Sequence, residues 1–71
     1  MDQSTLASII YTTAASDKMN GKGRIILSDL RIDLPGVTAE EIMAAWKLKF
    51  PEYPIEHRTE NTLIIELGRK K

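Results

Sequence analysis

The chain has no cysteine, which excludes disulfide staples, thiolate zinc centres and cysteine nucleophiles and fits a reducing compartment. Its one histidine, His57, has no second histidine to share a metal and no serine in a known catalytic motif beside it. No stretch approaches the roughly 20 apolar residues that a membrane-spanning helix needs. The opening Met1-Asp2-Gln3-Ser4 lacks a basic region leading into an apolar run, so the chain reads as soluble and cytoplasmic. An excess of one charge is missing too. Ten basic residues balance ten acidic ones, and the molecule as a whole does not advertise a polyanionic partner.

What is present is ordinary for a folded protein: 42% hydrophobic and 28% charged residues belong to neither a disordered nor a membrane chain. Seventy-one residues hold one core, giving a single domain over 1–71 with loose ends at 1–3 and 68–71. Without staples that core must suffice, helped by oligomerisation. Charge is locally uneven. Lys18, Lys22 and Arg24 gather ahead of the first expected strand, and Arg69-Lys70-Lys71 close the chain.

Four breaks punctuate the sequence: Asn20-Gly21-Lys22-Gly23, Pro35-Gly36, Pro51 to Pro54, and Glu60-Asn61. Ahead of the first, Leu6, Ile9, Ile10, Thr13 and Ala14 fall at helical spacing behind an Asp2 or Ser4 cap, predicting a helix over Ser4 to Ala15. Arg24 to Leu27 reads as a short strand. The next stretch, Ser28 to Leu34, is ambiguous. As a helix it has Ser28 as cap, Asp29 at the positive end of the dipole and Leu30 with Leu34 on one face. As a strand it alternates Leu30, Ile32 and Leu34 with Arg31 and Asp33. Thr38 to about Lys49 is the clearest helix, with a Thr38/Glu41 capping box and an apolar stripe of Ile42, Ala45, Trp46 and Phe50.

Two strands follow, Tyr53 to Thr59 and Thr62 or Leu63 to Leu67. Facing their apolar sets the same way calls for a three-residue loop, Glu60-Asn61-Thr62, that puts Ile55 opposite Leu67 and His57 opposite Ile65. Asn61 then supplies the left-handed residue such hairpins favour, and His57 turns toward the covered face of the sheet.

The order helix, strand, short helix, turn, helix, β-hairpin resembles the winged helix-turn-helix domain, and it favours the helical reading of Ser28 to Asp33. The resemblance covers residues 23–67. It rests on Gly23-Arg24-Ile25-Ile26-Leu27-Ser28-Asp29-Leu30 as a strand running into a helix, on Leu34, Gly36-Val37-Thr38, Ile42 and Trp46 as turn and helix-core positions, and on Thr59 to Leu63 as the wing tip. Pro35 departs from it by lengthening the turn. The other α+β arrangement packs helices on a three-stranded antiparallel sheet, with residues 24–34 as one long strand.

The resemblance implies a small duplex-DNA-binding regulator of the kind phages and mobile elements encode, acting by operator occupancy without cofactor or catalysis. Ala39, Glu40, Met43 and Lys47 would face bases, and Arg31, Lys22 and Arg58 phosphates. The rival is a protein-interaction module or inhibitor that docks a partner through exposed apolar surface, with Ile64, Leu48, Tyr11 and one of Ile25 and Leu27 left over from the core. A homodimer using that surface is the favoured assembly. Asp29 and Asp33 are too few to hold calcium or magnesium, Gly21-Lys22-Gly23 is too short for a phosphate loop, and Glu40-Glu41 sit where helix starts favour carboxylates.

Overall fold

A computed structural model describes residues 2–68. In chain order these form α1 (Gln3–Ser16), β1 (Lys18–Met19), β2 (Lys22–Ile26), α2 (Leu27–Asp33), α3 (Ala39–Lys49), β3 (Ile55–Thr59) and β4 (Thr62–Glu66). The fold is α+β, with the strands in one antiparallel sheet of order β1-β2-β4-β3.

Helix α1 begins at an Asp2 cap, whose carboxylate accepts from the Thr5 amide at 2.7 Å. The hydroxyls of Thr12 and Thr13 find partners within the helix, donating to the carbonyls of Ser8 and Ile9 one turn back at 3.1 and 2.9 Å. Leu6, Ala7, Ile10 and Ala14 form its buried side. The sheet then approaches that side closely. A Cβ added to Gly23 of β2 would lie 2.6 Å from the Ala14 Cβ and 2.7 Å from the Ala14 carbonyl oxygen, so only glycine fits there.

The glycine-rich stretch is a hairpin, not a plain loop. Asn20 (φ 55°) and Gly21 (φ 79°) both take left-handed conformations between β1 and β2, the pattern of a tight two-residue turn that matches strand twist. Residues 24–34 are not one long strand: β2 stops at Ile26 and α2 starts at once, burying Leu27 and Leu30. Ser28 does not cap α2, because the cap position is Ile26, which has no side-chain hydrogen bond to give. The capping groups come from the far hairpin. The Asn61 carbonyl accepts from the Leu27 amide at 2.8 Å, and the Asn61 Oδ1 accepts from the Ser28 amide at 3.0 Å.

Helix α3 carries the expected capping box: Thr38 Oγ1 accepts from the Glu41 amide at 3.1 Å, and Glu41 Oε1 accepts from the Thr38 amide at 3.0 Å. It packs on α1, burying Ala39, Ile42, Ala45 and Trp46. Trp46 Nε1 donates to the Tyr53 carbonyl at 2.8 Å. The exposed Lys49 donates its ammonium to Ser4 Oγ at 3.0 Å and Ser8 Oγ at 2.7 Å, tying the end of α3 to the start of α1.

The last hairpin departs from expectation in register. Thr59 pairs with Thr62, His57 with Leu63 and Ile55 with Ile65, and an irregularity lies between His57 and Thr59. The tip is therefore the two-residue Glu60-Asn61. The extra residue in β3 restores the parity that a longer loop was expected to supply, because a bulge also shifts alternation by one. Asn61 is not left-handed: among the described residues Asn20 is the only non-glycine with positive φ. His57 is exposed, since β3 is an edge strand that buries only Ile55, and that in part.

The helices cover one face of the sheet, toward which Ile25, Leu63 and Ile65 turn and are buried. Lys22, Arg24, Glu56 and Ile64 belong to the opposite face by register. Ile25 and Leu27, one of which was expected at the surface, are both buried, and Ile64 is half-buried. Leu48 and Tyr11 are exposed as expected, joined by Met19 and Ile32. No helix among the described residues is long and apolar enough to cross a membrane.

Candidate nucleic-acid interface

The outward side of α3 follows from what its inward side buries. With Ile42, Ala45 and Trp46 turned to the core, Glu40, Ala44, Lys47 and Leu48 are exposed and Met43 is half-buried at the margin. Ala39, expected on the outward side, is buried instead at 5% exposure. It precedes Trp46 by about two turns and so shares the core-facing side. Glu40, Met43 and Lys47 thus share a surface, and Ala39 is not part of it.

The expected phosphate contacts fall in two other places. Arg31 lies on α2, where its Nε donates to the Val37 carbonyl at 2.8 Å and braces the α2–α3 turn. Lys22 and Arg58 lie across the sheet from the helices, around a shallow hollow that also touches Asp17, Met19, Arg24 and Ile64. Cations there meet carboxylates: Arg24 pairs with Asp17 at 3.1 Å and Arg58 with Glu56 at 3.1 Å. The Arg58 hydrogen bond and charge, with a smaller contribution from Lys22, hold the Glu56 carboxyl below its ordinary value. The same pair raises the Arg58 guanidinium.

Charge over the expected reading surface is mixed. Helix α3 presents Glu40 and Glu41 in its first turn and Lys47 further on, while Lys49 is engaged with α1. The hairpin tip adds Glu60 and Asn61. Along 38–49 and 57–62, Glu40, Glu41 and Glu60 are interspersed with Lys47, Lys49 and Arg58. Arg69, Lys70 and Lys71 lie outside the described residues.

Sequence reasoning missed two features here. Asn61 was assigned to its own turn, although a capping side chain fits a helix start that lacks a cap of its own. Ile32 is 77% exposed; once α2 is a helix with Leu30 inward, a residue two positions on points away. Asp29 and Asp33 border a hollow between α1, β2 and α2 with Asp17 and Arg24, but no group of three or more potential ligands able to hold a metal occurs among the described residues.

No protein-family model matches the chain, and no curated protein or solved structure matches it.

Proposed function

We propose that this chain is a winged-helix domain that occupies duplex DNA through α3 and acts as a transcriptional regulator by blocking its site, without chemistry of its own. One observation carries the reading: β2 runs directly into α2, α3 follows across a short turn, and β4 returns between β2 and β3. That connectivity leaves α3 with an outward side and sets a hairpin tip against the start of α2. In a major groove, Lys47 donates to guanine acceptors or phosphate, Glu40 accepts from cytosine, and Met43 packs on a thymine methyl. Arg31 reaches the backbone beside the turn.

So few unpaired cations imply a shallow salt dependence. With two to four phosphate contacts the slope of log K against log salt is roughly −2 to −4. The test is retardation of random and genomic duplexes at low salt, followed by Lys47→Glu. Binding near about 10 μM that Lys47→Glu abolishes supports the reading. No retardation at that concentration overturns it.

A second reading, a module that docks a protein partner, is favoured by one observation. Ile32 and Leu48 are 77% and 69% exposed, while Arg24 and Arg58 are matched with carboxylates. Under it, Leu48→Glu and Ile32→Glu abolish capture of a stoichiometric partner, and Lys47→Glu leaves that capture intact.

A further inference from the structure

The two edges of the sheet differ. One ends in β1, only Lys18–Met19; the other is the five-residue β3, exposed from Glu56 to Thr59. The Glu66 amide donates to the Pro54 carbonyl at 3.0 Å. In an antiparallel ladder, hydrogen-bonded and non-hydrogen-bonded pairs alternate. Pro54 therefore faces β4 with its backbone, Glu56 does the same, and Ile55 and His57 turn their N–H and C=O groups to the open side.

Open edges are commonly blunted by lysines, inward-pointing charges, prolines or bulges, and β3 has its bulge between His57 and Thr59. The same edge carries opposite charges two residues apart. Glu56 and Arg58 flank His57, and their side chains remain 57% and 51% exposed while paired with each other. A second copy laid antiparallel about a two-fold axis at His57 places Glu56 opposite the other chain's arginine and Arg58 opposite its glutamate. The bulge at Arg58 interrupts the regular ladder beyond His57, but Glu56 and Arg58 share one face of the strand, as their own ion pair shows, so the opposite charges come within reach across the axis. The backbone bonds of the dimer join the two His57 residues, whose N–H and C=O groups point outward. Each intrachain Glu56–Arg58 pair then becomes half of a four-charge ring. Pro54, whose nitrogen cannot donate, stands before this run and not inside it.

We infer that the β3 edge is an interface for a second copy of this chain, joined edge to edge about His57 into one continuous sheet. The inference stands apart from what α3 does, and DNA retardation does not bear on it.

Sedimentation equilibrium from about 10 μM to 1 mM tests it, with thermal melting to confirm that each variant is folded. The wild-type chain forms dimers in a concentration-dependent way. Glu56→Arg and Arg58→Glu each weaken the dimer about tenfold, because each sets like charges opposite one another at two places. The double variant Glu56→Arg/Arg58→Glu restores the pattern and returns the constant to within about threefold of wild type. His57→Pro removes only an outward N–H and leaves chains monomeric. A monomer throughout the range overturns the inference, and so does a double variant no better than the singles. Should a single variant fail to fold, the double variant and His57→Pro decide the matter.

Discussion

Asn61 and Ser28 lie 33 positions apart and hold each other by two hydrogen bonds: Asn61 Oδ1 accepts from the Ser28 amide at 3.0 Å, and Asn61 Nδ2 donates to Ser28 Oγ at 3.2 Å. The tip of the last hairpin thereby serves as the cap that α2 lacks in its own sequence. Asn61→Ala should lower stability by about 1 kcal/mol, the usual cost of a lost cap, which for a domain this size is a fall in Tm of roughly 4–8 °C. Asn61→Asp should lose less than half of that, since a carboxylate accepts from the same amide and suits the positive end of the helix. Equal losses for the two variants would show that the side chain does not cap α2.

Gly23 and Ala14 set the distance between α1 and the sheet. A methyl at Gly23 would strike the Ala14 carbonyl oxygen at 2.7 Å as well as its Cβ at 2.6 Å, so the helix must move as a body. Gly23→Ala should cost about 3 kcal/mol, at the upper end of overpacking losses. Adding Ala14→Gly should fail to rescue it, because the backbone contact persists and a helical glycine costs about 1 kcal/mol more. Urea unfolding of the single and double variants checks both points; recovery in the double would mean that side chains alone set the spacing.

How much of this was legible in the sequence depended on whether a signal was local. The α3 cap box, the core stripe through Ile42, Ala45 and Trp46, and a cap at Asp2 or Ser4, of which the structure uses Asp2, were readable because each lies within a turn or two of helix. The helical reading of Ser28 to Asp33 held, although its pattern fitted a strand equally well, and here the order of elements decided. One missed feature was a relation between distant segments. Asn61 caps a helix more than thirty positions earlier, whereas the Asn20-Gly21 hairpin carried a local turn signal that its reading as a mere break passed over. Burial of Ala39 was readable from its two-turn spacing to Trp46. Its place in the first turn of the helix drew it instead into the expected base-contacting set.

The Asp2 carboxyl is held below its ordinary value, first by the hydrogen bond from the Thr5 amide and then by the Thr5 side chain. A carboxyl whose folded value is depressed adds stability at pH above its unfolded value, near about 4. That contribution is lost as pH falls through the folded value. Asp2→Ala should therefore lower the urea midpoint at pH 7, and the gap from wild type should narrow as pH falls through the folded value of the carboxyl. A gap between the two proteins that persists undiminished at low pH would mean that Asp2 acts through something other than its charge. The exposed Glu56, depressed by Arg58, has the same sign but is screened by solvent and salt.

The extra residue in β3 makes a prediction about deletions. His57 pairs with Leu63 and Thr59 with Thr62, so removing Arg58 leaves a regular two-residue hairpin with Ile55 still opposite Ile65. Removing Glu56 moves Ile55 one step, opposite Ile64, and turns it to the outer face. The same shift strains the Trp46 Nε1 bond to the Tyr53 carbonyl and the Glu66 bond to the Pro54 carbonyl. Deleting Arg58 should cost under about 1 kcal/mol. Deleting Glu56 should cost about 2 kcal/mol or more, from the lost burial of a half-covered isoleucine together with strained hydrogen bonds. Urea unfolding followed by Trp46 fluorescence at dilute protein, where edge pairing is absent, separates the two. Similar losses for both would place the bulge elsewhere in β3, and the Glu56–Arg58 spacing along the open edge would then need a different explanation.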